Sequence, residues 1–128
     1  MLTEKLGIKE CLRIIIIDAP EDYNNILGKL PKGVFVAETL EDPLDFIQFF
    51  TKKRKELENK FPILKRELSK NGVLWISWSK GSSKVETDLN ENTVREIGLK
   101  NGLVDVKISA INNVWSGLKF VCRLKNRK

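Results

Sequence analysis

Apolar residues follow two rhythms along this chain. Leu12-Arg13-Ile14-Ile15-Ile16-Ile17 and Val73-Leu74-Trp75-Ile76-Ser77-Trp78 are short, nearly continuous runs. Runs of that kind predict strands buried on both faces, as at the centre of a parallel sheet. Val34-Phe35-Val36-Ala37 and the aromatic-rich Asp45-Phe46-Ile47-Gln48-Phe49-Phe50 predict two more strands. After Thr51 the rhythm changes, because Leu57, Phe61, Leu64 and Leu68 step by four, three and four and form one helical stripe. Thr51 is placed to cap that helix, Pro62 predicts a kink or break in it, and Asn71-Gly72 predicts its end.

Capping and turn residues supply the other elements. Thr3 can cap a short turn, Glu4-Lys5-Leu6, which Gly7 stops. Pro20 suits the first turn of a helix running to about Gly28, and Glu21 and Asp22 favour its positive end. Asn90 is placed to cap a helix that ends at Asn101-Gly102, with Leu89 and Val94 as its hydrophobic staple. Leu103–Ile111 and Trp115–Leu124 predict two strands, made antiparallel by the short joint Asn112-Asn113-Val114. The order β-α-β-β-α-β-α-β-β predicts a single α/β domain over residues 1–128. The expected form is a Rossmann-like three-layer sandwich, with a mostly parallel sheet of about six strands and a C-terminal antiparallel hairpin.

Composition narrows the chemistry. The 128 residues include no histidine, which removes Ser-His and Cys-His nucleophile pairs and imidazole metal sites. Cys11 and Cys122 lie near opposite ends and form no CxxC pair. Met1–Gly7 lacks the apolar core of a signal peptide, and no apolar run reaches membrane-spanning length. A cytoplasmic protein with reduced thiols and no membrane association is therefore expected.

The net charge of +6 is uneven: residues 52–70 carry eight Lys/Arg against three Asp/Glu, and residues 123–128 add four cations and no acid. The ordinary reading of such runs is solvated surface, and a phosphate-bearing partner is the alternative.

In an open α/β sheet, ligands bind outside the carboxyl ends of the parallel strands. The loops after Ile17 and Trp78, the hairpin at Val114-Trp115-Ser116-Gly117 and the start of the long helix are all expected on that edge. The helix opens on Lys52-Lys53-Arg54-Lys55, cations at an end that already carries positive potential, which together attract anions. The candidate ligand-binding residues are Lys52, Arg54, Trp78, Lys80, Ser82, Ser83, Lys84, Trp115 and Ser116. Lysines and serines would bind the anion, and the indoles would stack on a ring. Against this stand plainer roles: a core tryptophan, a hairpin Trp-Ser-Gly, and a Gly81-Ser82-Ser83 connector without phosphate-loop spacing.

The order of helix, Lys70-Asn71-Gly72-Val73-Leu74, helix and final hairpin resembles the second half of a class I S-adenosylmethionine-dependent methyltransferase. Glu10-Cys11-Leu12-Arg13-Ile14-Ile15 is similar to the entry into that family's first strand. The resemblance implies a cofactor crevice with Glu38 at the ribose-binding position, and Tyr23, Glu38 and Asp88 as the polar candidates beside it. The chain departs from the family in the loop Asp18-Ala19-Pro20-Glu21-Asp22, which holds no glycine where the family's loop is glycine-rich. It is also short between its second and third strands. A second resemblance is to a family of short bacterial proteins of no assigned activity. It is carried by Leu6-Gly7-Ile8-Lys9, Ala19-Pro20-Glu21, Leu74-Trp75-Ile76-Ser77-Trp78, Thr87-Asp88-Leu89 and Trp115-Ser116-Gly117-Leu118-Lys119.

The loop without glycine and the basic edge together lead to one expectation: a non-catalytic domain, without a cofactor or a metal, that binds an anionic small molecule or a protein partner. An active small S-adenosylmethionine-dependent methyltransferase is the first alternative. A nucleic-acid-associated protein using the basic helix and tail is the second. The sequence leaves the oligomeric state open.

Overall fold

The structure is a computed structural model, and it describes residues 2–41, 43–80 and 86–123. Its elements in order are α1 (Leu2–Leu6), β1 (Arg13–Ile17), α2 (Tyr23–Leu27), β2 (Phe35–Val36), β3 (Leu44–Phe50), α3 (Arg54–Glu67), β4 (Leu68–Ser79), α4 (Glu91–Lys100), β5 (Leu103–Ala110) and β6 (Trp115–Cys122). The six strands form one sheet in the order β2-β1-β3-β4-β6-β5. The first four pair in parallel, and β6 and β5 are antiparallel to their neighbours. This is the predicted Rossmann-like α/β fold with a terminal antiparallel pair.

Alternation along the central strands divides the core in two. Ile15, Ile47, Phe49, Leu74, Ile76 and Trp78 point to the side of α3 and α4, where Leu57, Phe61, Leu64, Val94 and Ile97 meet them. Ile14, Phe46, Phe50 and Trp75 point to the other side, against Leu6, Tyr23 and Leu27 of α1 and α2. Both faces of β3 and β4 are buried, which is why these strands carry continuous apolar runs. The close approach of α4 depends on Gly98, where a β-carbon would fall inside the Phe120 ring.

Local expectations need correction in three helices. Thr3 lies inside α1 rather than capping it, and α2 begins at Tyr23, so Pro20 precedes the helix instead of forming its first turn. Helix α3 runs through Pro62 without interruption, with Phe61 and Leu64 buried on either side of it. The helix stops at Glu67, and Leu68 is already strand, paired with Leu44. Gly72 is therefore no helix stop: it lies within β4, and glycines with positive φ are found elsewhere. A β-carbon at Gly72 would stand 3.0 Å from the carbonyl oxygens of Leu44 and Asp45, so the residue is small because β3 passes close by.

Candidate functional site

Strand order reverses between β1 and β3, since the chain leaves β1 toward β2 and returns across it to β3. Such a switch point leaves a crevice at the carboxyl ends of the two strands. Here the crossing from β2 to β3 takes only residues 37–43, with no helix among its described residues. A hollow of about 300 Å³ opens beside α3, lined by Asp18, Phe49, Glu56, Asn59, Lys60 and Ile63. That volume is at the lower end of small-molecule pockets.

Each lining residue follows from its element. Phe49 is buried at the end of β3 and forms an apolar floor, while Ile63 on α3 is 37 % exposed at the rim. Asp18 follows β1 directly and sits at φ 58°, the left-handed region that aspartate tolerates better than most side chains. The turn after β1 thus takes a conformation suited to glycine without having one. Glu56, Asn59 and Lys60 come from the first half of α3. Two carboxylates, an amide and an ammonium therefore surround an apolar base. The Glu56 carboxylate also accepts the Thr51 hydroxyl at 3.1 Å.

The start of α3 is not an open anion site. The Arg54 backbone N–H donates to Asp88 Oδ1 at 2.6 Å. The Lys53 N–H donates to Thr51 Oγ1 at 3.3 Å. The Lys52 carbonyl accepts from the Thr87 hydroxyl at 2.9 Å and from the Asp88 N–H at 3.2 Å. Thr51 is expected to cap this helix, but the N-cap position is Lys53, two residues later, and a carboxylate from the chain itself fills the positive end. The Lys52 side chain is exposed, and the Arg54 guanidinium reaches Glu58 at 3.5 Å.

The other predicted residues divide by burial. Trp78 is 4 % exposed and packs in the core on the α3 side, so its ring does not face the edge. Trp115 and Ser116 are half-buried, in register with Ser79 and Trp78. The Lys80 N–H donates to the Val114 carbonyl at 2.7 Å, which brings the β4 loop and the hairpin together as expected. Ser82, Ser83 and Lys84 lie outside the described residues.

Sequence reading missed a polar group on the α1–α2 side of this edge. The Tyr23 hydroxyl donates to Gln48 Oε1 at 2.6 Å, and Gln48 Nε2 donates to Ser77 Oγ at 3.1 Å. All three residues are buried. Burial pushes the Tyr23 phenol well above its ordinary pKa, and the hydrogen bond with Gln48 offsets this in part. Two residues further along β4, Ser79 is fully buried and its hydroxyl has no partner among the described residues. The Tyr23, Phe50 and Trp115 rings stack edge to face beside them, with centroids 4.7 and 5.2 Å apart. Tyr23 is among the residues expected beside the crevice, and a glutamine in an aromatic strand is the signal for its partner.

No family model matches the chain, and no curated protein matches it. Solved structures do. A methyltransferase from Aquifex aeolicus, S-adenosylmethionine-dependent, is 16% identical, over 91% of this chain and 85% of that one, with a TM-score of 0.61. Aeropyrum pernix fibrillarin, solved with natively bound S-adenosylmethionine, is 10% identical over 91% and 69%, with a TM-score of 0.62. The magnesium protoporphyrin IX methyltransferase of Synechocystis PCC 6803, solved with bound S-adenosylhomocysteine, is 11% identical over 95% and 78%, with a TM-score of 0.58.

These likenesses establish a methyltransferase-like fold. They also overturn three expectations drawn from the loop without glycine: a non-catalytic anion- or partner-binding domain, no enzymatic activity, and no cofactor. The neighbours are enzymes, two of them described here with the methyl donor or its product bound, and they favour the methyltransferase alternative. A loop without glycine is compatible with this fold, since Asp18 takes the left-handed conformation with a side chain in place. Among the described residues no helix is long and apolar enough to cross a membrane, and no cluster of potential ligands could hold a metal ion.

Proposed function

We propose that this chain is a small S-adenosylmethionine-dependent methyltransferase whose donor site is the crevice between β1 and β3. The observation that carries the reading is the hollow at the strand-order switch, with carboxylates and an ammonium around an apolar floor. The donor's amino-acid end is a zwitterion beside a sulfonium. Asp18 and Glu56 suit its two cationic centres, Lys60 and Asn59 suit its carboxylate, and Phe49 and Ile63 suit its carbon chain. When bound, the sulfonium supplies an electrophilic methyl group.

The protein's contribution is binding, orientation and exclusion of water, which can supply much of the rate for such a transfer. Glu38, exposed just after β2, is the candidate for the sugar hydroxyls. On the far side of the edge, Ser79, Lys80, Trp115 and Ser116 form the candidate acceptor side. Membership in the family of short bacterial proteins, and a cytoplasmic location, belong to the same reading.

The test is thermal unfolding with S-adenosylmethionine and S-adenosylhomocysteine. Either compound at one hundred times its dissociation constant adds about 2.7 kcal/mol, a rise of many degrees for a domain of this size. No rise with either at millimolar concentration would refute the assignment.

A further inference from the structure

Most arginines described above have an acid beside them: Arg54 with Glu58, Arg66 with Glu67, and Arg95 with both Glu91 and Asp105. One group of lysines breaks this pattern. Lys119 on β6 and Lys107 on β5 are direct register partners. Partners across an antiparallel pair have β-carbons about 5 Å apart, and like charges there are destabilising. On its other side Lys119 is in register with Trp75, whose indole N–H donates to the Leu6 carbonyl at 2.8 Å. Lys119 therefore lies on the α1 side of the sheet. Its ammonium stands 3.8 Å from the place a β-carbon at Gly7 would occupy.

Lys9 follows two residues later and is exposed. Burial lowers the Lys119 pKa, and the charges of Lys107 and Lys9 lower it further. Lys9, Lys107 and Lys119 make no hydrogen bond or ion pair with a described residue. The neighbouring Lys5, by contrast, donates to the Ala110 carbonyl at 2.8 Å.

We propose that Lys119, Lys107 and Lys9 form a binding site for a multiply charged phosphate group. Two ammonium groups in register on one sheet face and a third from the adjoining loop, with no ion-pair partner among the described residues, are complementary to a compact anion carrying more than one charge, and lysine binds phosphate as a point charge. A single carboxylate would leave most of the repulsion in place. The site is separate from the proposed donor crevice. Lys119 is level with Trp75, four residues before the end of β4, or about 13 Å along the strand. The phosphate can come from a free diphosphate or from a nucleic-acid backbone, since both present the same group.

The full chain and its Lys119→Met and Lys107→Met variants are melted at constant ionic strength in sodium chloride. The melts are repeated with sodium pyrophosphate and with a ten-nucleotide single-stranded RNA. Pyrophosphate, the RNA or both should raise the melting temperature of the wild type by several degrees, saturably. Without anion, Lys119→Met should melt above the wild type, because a repelled ammonium is gone, and its anion-dependent rise should be lost. A rise with pyrophosphate alone assigns the free anion. A rise with RNA that falls steeply with salt assigns the backbone. An unchanged anion response in Lys119→Met would overturn the proposal, as would no wild-type response beyond that to sodium chloride. Lys107→Met, altered at an exposed position, carries the same test should Lys119→Met fail to fold.

Discussion

The Asp88 carboxylate accepts the backbone N–H of Arg54 at 2.6 Å, so an acid from the loop before α4 caps the basic first turn of α3. The two residues are 34 apart in sequence, and the cap sets the loop against the helix. Replacing a side-chain cap by alanine costs about 1 kcal/mol. Asp88→Ala should therefore lower stability in urea by roughly that amount, and Asp88→Asn should retain most of it. An unchanged midpoint for Asp88→Ala would mean the contact contributes nothing.

Tyr23→Phe removes the hydroxyl that Gln48 accepts in a buried setting. At neutral pH the loss should be about 1–3 kcal/mol, because the Gln48 carbonyl is left unpaired. The difference shrinks in alkali. The folded Tyr23 pKa is raised, so its stabilisation is full below the ordinary value of 10.0 and is lost as pH climbs through the higher folded value. The gap between variant and wild type should narrow as pH rises above 10, and unfolding midpoints at pH 8 and pH 11 would measure it.

Gly98→Ala puts a methyl group into the Phe120 ring, on a helix that already packs closely on the sheet. Alanine favours a helix over glycine by about 1 kcal/mol. Overpacking costs about 1–3 kcal/mol or more. The clash should prevail, giving a lower melting temperature and a disturbed Phe61–Phe120 ring contact, now at 5.5 Å between centroids. Near-ultraviolet dichroism would report the disturbance.

Lys60→Ala tests the donor crevice with little risk to the fold, because Lys60 lies on the rim side of α3 and is half-buried. If its ammonium holds the donor's carboxylate, affinity for S-adenosylhomocysteine should fall at least about tenfold, or about 1.4 kcal/mol. Titration calorimetry would measure it, and equal affinity in variant and wild type would remove Lys60 from the site.

Local pattern made much of the architecture legible. The isoleucine run of β1, the Leu57–Phe61–Leu64 stripe, the hairpin and the Asn90 cap are all present, with Asn90 Oδ1 accepting the Thr93 N–H at 2.9 Å. The boundary between α3 and β4 was misread because Leu68 continues the helical spacing. Pairing with Leu44 makes it strand instead, and the passing β3 backbone explains Gly72. The candidate site was only partly legible. The loop after β4 and the final hairpin do meet, with Lys80 beside Val114, but the core holds Trp78 and Asp88 occupies the anion position at α3.

The sequence by itself determined where strands and helices form, since side-chain periodicity and caps act between residues a few positions apart. Only the tertiary structure decided which groups meet: Tyr23 with Gln48, Asp18 with Lys60 around one hollow, Lys107 with Lys119. Those meetings depend on strand order and register, and a shift of one residue turns every side chain of a strand to the opposite face.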